Sequence, residues 1–352
     1  MSVTKPELNS MTDAELSEAL AGEGITGFRV EQITRWVRKG VTSFDEMGNL
    51  PKNTRENLDT RFALTSVIIS RKRLSSDGTV KYLFTLHDGE TVETVLMRYR
   101  YGNSVCISTQ AGCAMGCVFC ASGRLGLRRH LTAGELCGQV LAAVTDSGEP
   151  VSRVVLMGIG EPLHNLDATL RFVALAAHPF GLGIGARHIS VSTCGLVDRI
   201  NELAALRPQF TLSVSLHAPN DRLRNRIMPV NKRFPVDELL AACRRYTDQT
   251  GRRISIEYAL INGFNDSDEC ADELVSKLKG MLVHVNLIPL NDNGVKNGYK
   301  APARVACQRF ADRLSAGGLA ATVRRTLGDD IEAACGQLRA VQAQETYSRT
   351  PG

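Results

Sequence analysis

Three cysteines within eight residues are the part of this sequence whose types and spacing could do chemistry most directly. Cys113, Cys117 and Cys120 form a CxxxCxxC pattern. Thiolates in such patterns bind iron–sulfur clusters, and they also bind zinc. Structural zinc usually takes four protein ligands, and the next histidine, His130, is ten residues further on. The pattern therefore favours a cluster with one iron open to an outside ligand, with structural zinc and ordinary packing cysteines as the alternatives.

The composition indicates the kind of protein in which these cysteines occur. The chain has 352 residues, of which ten are cysteine, and it is 43% hydrophobic and 22% charged. These values are typical of a globular protein and exclude a small disulfide scaffold. The first 20 residues contain no apolar segment of the signal-peptide type, and no uncharged apolar run reaches the ~18 residues of a membrane span. We therefore expect a cytoplasmic protein without a membrane partner, in which clustered cysteines bind metal or carry redox chemistry.

Hydrophobic periodicity predicts the elements that must position the cysteines. Ile33, Trp36 and Val37 recur at helical spacing, and two Asp-Gly turns separate short β-like runs further along the chain. After Asn103, six strand candidates alternate with helical stretches, which predicts a parallel sheet that is either doubly wound or curved into a barrel. We predict four regions: a helical domain at 1–60, an antiparallel β extension at 61–101, the βα units at 102–320, and a C-terminal strand and loop at 321–352.

Polar residues fall where several of the predicted parallel strands end. Glu161, Ser192, His217 and Asn291 occupy such positions. In a TIM-like barrel the carboxyl ends of the strands carry the chemistry, so these side chains are expected to share one site. The GIGEP run around Glu161 is not a dinucleotide-binding fingerprint, because it lacks the third glycine and a proline prevents a helix from opening there.

The cysteine motif, with Phe119 before its last cysteine, resembles the signature of the radical S-adenosylmethionine (SAM) enzymes. This resemblance implies an α/β fold with a partial (βα)6 TIM-like barrel. It also implies a [4Fe-4S] cluster held by three cysteines, whose open iron binds SAM and reduces it to release a 5′-deoxyadenosyl radical. An external electron donor, such as a flavodoxin-like reductant, is then required.

Further runs resemble the adenine-C2 RNA methyltransferases of the RlmN family. They are CISTQAGCAMGCVFCASG, LMGIGEPLHN, STCG, SLHAPND, RIMPVN, HVNLIPLN and RRTLGDDIEAACGQL. The resemblance implies methylation at C2 of an adenosine in 23S (large-subunit) rRNA, with tRNA as a second candidate substrate. The related Cfr-type enzymes, which methylate C8, are the alternative; the proline in GIGEPLHN, where Cfr-type sequences carry alanine, favours C2.

The resemblance also assigns roles to individual residues. One SAM would methylate Cys335, and a second would generate a methylene radical on it that adds to adenine and crosslinks protein and RNA. Cys106 would help to remove the C2 proton and release the product by forming a transient disulfide with Cys335, and Glu93 is a candidate proton acceptor. The implied cluster ligands are Cys113, Cys117 and Cys120, and the implied SAM contacts are Gly160, Glu161, Ser192, Ser215, Leu216, His217 and Asn291. The cysteines outside these motifs are assigned to packing: Cys137, Cys194, Cys243, Cys270 and Cys307.

The distribution of charge adds to the case for RNA. The net charge of +5 is uninformative, but residues 61–130 hold ten Lys/Arg against four Asp/Glu. The basic residues proposed to contact phosphates are Arg71, Lys72, Arg73, Arg124, Arg128 and Arg129, with Arg35, Arg38, Lys39, Lys52 and Arg55 in the helical domain. A solvated basic surface is the alternative interpretation of each run, and a non-catalytic RNA-binding protein with a structural metal is the alternative function. We expect a monomer.

Overall fold

The structure is a computed structural model of the chain. It describes residues 5–124, 126–291, 298–325 and 327–331. Among these residues, no helix is both long enough and apolar enough to cross a membrane.

Three helices near the N-terminus enclose a small core of their own. They are α1 (Asp13–Ala21), α2 (Phe28–Arg38) and α3 (Lys52–Arg61). The hydroxyl of Thr12 caps α1 in a capping box, which satisfies N–H groups that the first turn leaves unbonded. Ile33 is fully buried, as its helical spacing predicts.

The basic face predicted for α2 is wrong at Arg38. This side chain is 4% exposed and donates to the carboxylate of Asp13 over 2.8 Å and to the carbonyl of Met11. A guanidinium that is buried and paired in this way ties α2 to the start of α1 and is not available to phosphates. Arg35 is exposed, but it is paired with Glu31 one turn away.

The predicted antiparallel extension consists of three strands. They are β1 (Val67–Leu74), β2 (Val80–Leu86) and β3 (Thr91–Tyr99), joined through the two Asp-Gly turns. β3 pairs antiparallel with β4 (Gly102–Cys106), so the extension continues the main sheet. In the register, Cys106 lies opposite Val95, which lies opposite Lys81.

The cysteine motif lies beside the start of the parallel sheet. After β4, a short hairpin of β5 (Gln110–Cys113) and β6 (Gly126–His130) frames the loop that carries the other two cysteines. The sheet then continues with β7 (Val151–Leu156), β8 (Ile189–Thr193), β9 (Thr211–Ser215), β10 (Ile254–Leu260), β11 (Val283–Pro289) and β12 (Ala321–Val323). The helices after β6 are α4 (Ala133–Ser147), α5 (Leu166–Ala176), α6 (Val197–Leu206), α7 (Asp221–Ile227), α8 (Val236–Thr250), α9 (Asp268–Leu278) and α10 (Arg304–Ala316).

The strand order confirms the predicted α/β fold. Neighbours run β1-β2-β3-β4-β7-β8-β9-β10-β11-β12, and every pair from β4 onward is parallel. In the described chain β1 and β12 remain at opposite edges, so the six βα units form an open, partial barrel. Apolar faces of the helices cover one side of the sheet in a single large core, which leaves the carboxyl ends of the parallel strands to build a site.

Candidate active site

A cavity of about 330 Å³ opens at the carboxyl ends of the parallel strands. Ten of the residues predicted from the sequence line it: Cys106, Cys113, Cys117, Cys120, Gly160, Glu161, Ser192, Ser215, His217 and Asn291. Parallel strands bring their ends to one edge of the sheet, and for this reason residues nearly 200 positions apart meet here. Cys335, the predicted methyl carrier, lies outside the described residues.

The cysteine loop is held by its own turns and by a neighbouring segment. Cys113 ends β5, and the N–H of Cys120 donates to the carbonyl of Cys117, which closes a tight turn. The N–H of Val118 donates across 2.9 Å to the carbonyl of Ile227, the last residue of α7. The loop is therefore positioned by α7 as well as by the strand that leads into it.

Two thiols of the loop, those of Cys113 and Cys117, resist ionisation in the absence of a cation. Burial raises the pKa of Cys113 to about 11, although the N–H groups of Met115 and Gly160 hydrogen-bond to its sulfur and favour the thiolate. Burial also raises the pKa of Cys117, and the neighbouring Cys120 and Cys113 raise it further because three negative charges would repel. A positively charged iron core removes this penalty, and N–H···S hydrogen bonds are a usual feature of cluster sites.

Two further features of the site bear on what it could hold. In the described part of the chain no three acidic, histidine or cysteine side chains are grouped so as to hold a single metal ion. The hydroxyl of Ser122, which is 2% exposed and lines the cavity, has no hydrogen-bond partner among the described residues. An unsatisfied buried hydroxyl here fits a site whose bound group supplies the partner.

Glu161 is a carboxylate fixed in the cavity wall. Its two oxygens accept N–H groups from Cys194 over 2.7 Å and from Leu163 over 2.9 Å, while its own N–H donates to Gln110. Burial raises its pKa, and the hydrogen bonds from Cys194 and Leu163 counteract this. A buried acceptor held in one orientation is suited to an ammonium group.

Gly160 must be glycine because of the chain packed against it. Its φ is +112°, and a Cβ there would come within 2.7 Å of Gln110 and 2.8 Å of Thr109. The close approach that requires glycine is thus to the chain after β4, although Gly160 also lines the cavity.

His217 is a neutral histidine. It is 7% exposed, and burial lowers its pKa to about 3, with the nearby Arg224 lowering it further. Its Nδ1 accepts from the N–H of Ala259 over 2.9 Å, which places the ring proton on Nε2. The edge of the ring meets Phe119 of the cysteine loop at a centroid distance of 5.0 Å, which couples the loop to the end of β9.

Because of His217, the stability of the protein is expected to decrease as the pH is lowered below about 6. The unfolded histidine titrates near 6.5 and the folded one near 3, so the unfolded state binds more protons between these values. The free energy of unfolding should therefore fall by about 1.4 kcal/mol per pH unit below about pH 6 from this group alone. Urea titrations from pH 7 to 5 should show a shallower decline for His217→Gln than for the unmodified chain; equal slopes would contradict the assignment.

Three of the four remaining predicted SAM contacts line the cavity, and one does not. Ser192 and Ser215 line the cavity at the ends of β8 and β9, and Asn291 lines it two residues after β11. Leu216 does not line the cavity, and its side chain is fully buried in the core. Cys194, which was assigned to packing, belongs to the core as expected and also lines the cavity.

Cys106 lies where the C-terminal segment reaches the cavity. It ends β4 and packs with Val95, Met97 and Leu327. The segment is held there because the N–H of Gly328 donates to Asp77 in the β1–β2 turn over 2.8 Å. Burial would raise the pKa of Asp77, but hydrogen bonds led by that from Gly328 lower it to about 2. No disulfide joins the nine cysteines that the structure describes.

Glu93 is buried, not solvated. It is 3% exposed, and its carboxylate lies 3.9 Å from the ammonium of Lys81, which is fully buried in β2. By strand alternation Glu93 shares a face with Val95, which lines the cavity next to Cys106. Glu93 itself is not part of the cavity wall.

Several residues around the site were not identified from the sequence. Lys81, Ser122, Arg224 and Glu257 are all at most 3% exposed, and Ser122 and Glu257 line the cavity. Burial raises the pKa of Glu257, whose oxygens accept from Ser255 over 2.7 Å and Asn286 over 2.6 Å. The one available signal was a charged residue within an apolar strand, as in VKYLF and ISIEYAL.

Among the basic residues proposed for RNA, some are paired with carboxylates and others are exposed. Lys72 pairs with Asp146 at 2.8 Å, and Arg129 pairs with Glu135 at 2.7 Å as well as with Asp88. These two side chains are thus engaged by carboxylates of the protein, and their predicted contact with RNA phosphates stays a prediction. Arg124 and Arg128 are exposed.

Comparison with known proteins agrees with this geometry. Residues 107–274 match the model of the Radical SAM superfamily. A crystal structure of a radical SAM methyltransferase from Sphaerobacter thermophilus is similar over 95% of this chain and 99% of that chain, with a TM-score of 0.90 and 48% identity. The fold is that of a radical SAM methyltransferase.

The N-terminal helices and nearly full-length relatives specify the family. Residues 6–64 match the Ribosomal RNA large subunit methyltransferase N-terminal domain. The chain is 52% identical over 336 residues to the Probable dual-specificity RNA methyltransferase RlmN of Alkaliphilus oremlandii, covering 95% of this chain and 98% of that relative. The relative of the same name from Bacillus subtilis is 47% identical over 345 residues, covering 97% and 95%. The chain belongs to the RlmN family of radical SAM RNA methyltransferases.

Proposed function

We propose that the protein methylates C2 of an adenosine in large-subunit rRNA, with tRNA as a second substrate, as the dual-specificity name of its relatives suggests. The observation that supports this best is the composition of one cavity. It contains the three thiols of the cysteine loop, the fixed carboxylate of Glu161, and Cys106 beside the segment that leads to Cys335. No single-metal or purely structural role requires these groups together.

The cysteine loop and the strand ends would hold the cofactors. Cys113, Cys117 and Cys120 would ligate a [4Fe-4S] cluster and leave one iron open. Glu161 would accept the ammonium of SAM, with Ser192, Ser215 and Asn291 offering polar contacts at neighbouring strand ends. When bound, these groups would supply a 5′-deoxyadenosyl radical, using an electron from an external, flavodoxin-like donor.

The chemistry of adenine explains why a cysteine is needed as carrier. C2 of adenine is electron-poor and has no lone pair with which to attack a sulfonium methyl group. Cys335 would accept a methyl group from one SAM and, after losing one hydrogen atom, present a carbon radical that can add at C2. Cys335 lies five residues after Asp330, which accepts an N–H from Ser76 at the β1–β2 turn.

Cys106 and Glu93 would complete the reaction. Cys106 would assist loss of the C2 proton from the radical adduct, whose unpaired electron would return to the oxidised cluster. The thiolate of Cys106 would then attack the sulfur of Cys335, and the departing CH2 carbon would take up a proton, which gives the methylated base and leaves a transient disulfide. Glu93, held by Lys81 on the same face of the extension, would serve as proton acceptor through the groups around Cys106. Reduction of the disulfide before the next turnover fits a cytoplasmic location. We propose that the enzyme acts as a monomer.

The unmodified protein is expected to bind a cluster, and replacement of any one of its three ligands is expected to remove it. Anaerobically purified protein should be brown with about four irons per chain, and alanine at Cys113, Cys117 or Cys120 should remove the colour and the iron. Cys270→Ala, which changes a buried cysteine of α9 outside the cavity, is the matched control and should retain both. A colourless chain with stoichiometric zinc would rule out the radical chemistry.

RNA binding is expected to depend on one face of β1. Arg71 and Arg73 lie opposite Leu83 and Lys81 in the register, on the face that Val95 presents to the cavity, whereas Lys72 points to the opposite side and pairs with Asp146. Glutamate at both Arg71 and Arg73 should weaken RNA binding at least about tenfold and reduce its salt dependence.

Lys72→Glu is the matched control for that face. It introduces the same charge change as the single variant Arg71→Glu but on the opposite side of the strand, so in filter-binding assays from 50 to 200 mM salt it should weaken binding much less than Arg71→Glu does. Equal losses in the two proteins, or none in either, would refute an RNA contact through this face.

A further inference from the structure

A fully buried arginine lies behind the cofactor side of the cavity and has no part in the reaction described above. Arg224 is on α7 and is 0% exposed. Its guanidinium donates to five acceptors: Leu216 O at 3.0 Å, Asn231 Oδ1 at 2.8 Å, Phe234 O at 3.4 Å, Cys194 O at 2.6 Å and Ser215 O at 3.2 Å. Because these hydrogen bonds are all directed into the protein, the guanidinium is not placed to bind a group at the surface.

Three of these acceptors are backbone carbonyls at the ends of β8 and β9. Ser215 lines the cavity, and the N–H of Cys194 donates to Glu161. Arg224 therefore links the loop that fixes the Glu161 carboxylate to the loop that presents Ser215 and His217. A planar guanidinium fork holds two such loops in a fixed relative position better than a single ammonium can.

The same short segment also supports the cysteine loop. The carbonyl of Ile227 accepts the N–H of Val118, and Met228 lines the cavity. A Cβ on Gly116 would lie 3.5 Å from Pro229, so the loop and the segment are in close contact. The RIMPVN run, which had no role from its sequence, thus connects the cysteine loop to the arginine that holds the strand ends.

The charge of Arg224 has no carboxylate as hydrogen-bond partner in the described chain, since its acceptors are carbonyls and one amide oxygen. Burial lowers the pKa of Arg224, and the thiolate forms of Cys194 and Cys117, together with Asp221, oppose this. Asp221 is linked to the guanidinium through Asn231, whose side-chain N–H donates to it over 2.8 Å. Arginine stays protonated in proteins and a buried cation is costly, so the thiolates of a bound cluster would add to the negative charge that Asp221 supplies.

We propose that Arg224 is a positioning residue of the cofactor site: its fork sets the SAM-binding loops, and its fixed cation stabilises the reduced cluster. This inference rests on cluster ligation by the cysteine loop and is independent of which adenine carbon is methylated. No bond is made or broken at Arg224. One electron enters the cluster from the external reductant, and a nearby positive charge favours the form that carries it.

The test uses full-length, anaerobically reconstituted protein with Arg224→Lys and Arg224→Gln. Arg222→Gln, at an exposed position of the same helix, is the control. SAM affinity is measured by equilibrium dialysis, the cluster midpoint potential by EPR-monitored redox titration, and iron per chain by colorimetry. The lysine variant should bind SAM about tenfold more weakly at an unchanged potential, because it keeps the charge and loses the fork. The glutamine variant should show the weaker binding and a shift to lower potential.

Each part of the inference has its own contradicting result. Wild-type SAM affinity in the lysine variant would overturn the fork, and wild-type potential in an iron-loaded glutamine variant would overturn the role of the charge. If Arg224→Gln does not fold, Arg224→Met, which fills similar volume without a charge, replaces it, and Asn231→Ser is the milder change to the fork. If the unmodified chain binds no cluster, the proposed ligation by the cysteine loop is wrong. That result is distinct from the failures above, which concern only the role of Arg224.

Discussion

Replacement of Cys335 by alanine is expected to abolish RNA methylation, with product falling at least about a thousandfold. The proposed reaction passes the methyl group through the sulfur of this residue, and a covalent carrier has no substitute elsewhere in the cavity. SAM cleavage in the absence of methyl transfer should persist, because the cluster ligands and Glu161 are untouched. The measurement is nucleoside mass spectrometry of RNA after single and multiple turnovers.

The control for Cys335 is Cys307→Ala, which removes a cysteine buried in α10 and away from the cavity. It should retain product at a level close to the unmodified protein, apart from a modest loss of stability. Substantial methylation by the Cys335 variant would show that the methyl group reaches RNA by another route.

Replacement of Cys106 by alanine is expected to trap a covalent protein–RNA adduct. The methylene carbon can still add to adenine, but the thiol that assists proton loss and attacks the sulfur of Cys335 is missing. The adduct should appear as a slowly migrating, nuclease-sensitive band on denaturing gels. The structural basis for this expectation is the position of Cys106, which packs next to Val95 and Leu327 beside the C-terminal segment.

The double variant provides the matched control for the adduct. With both Cys106 and Cys335 changed to alanine, no crosslink should form, because the attacking carbon is absent. A crosslink in the double variant would place the covalent bond elsewhere, and normal product without a crosslink in Cys106→Ala would remove this residue from the reaction.

The fold and the cavity could be predicted because they depend on local patterns. The cysteine loop and the strand-end residues Glu161, Ser192 and His217 follow from motif spacing and from the rule that parallel strands end together. The antiparallel extension was also predicted, from its Asp-Gly turns.

What could not be predicted depends on pairing across long sequence distances. Arg38 was expected on a basic face, but Asp13, 25 residues earlier, pairs with it in the structure. Glu93 was assigned as a candidate proton acceptor, but its buried pairing with Lys81, which the register of two strands brings about, was not predicted. Arg224 would be taken for a surface residue of a short polar helix, and only the tertiary structure directs its guanidinium to the carbonyls that follow β8 and β9.

The central claim is that the methyl group reaches C2 of adenosine through Cys335 by radical chemistry. SAM carrying a fully deuterated methyl group tests it most directly, in a reaction with unmodified rRNA followed by nucleoside mass spectrometry. Hydrogen abstraction from the methylated cysteine removes one deuterium, so the account predicts 2-methyladenosine whose methyl group retains two deuterium atoms. A methyl group with all three deuterium atoms, or 8-methyladenosine in place of 2-methyladenosine, would contradict it.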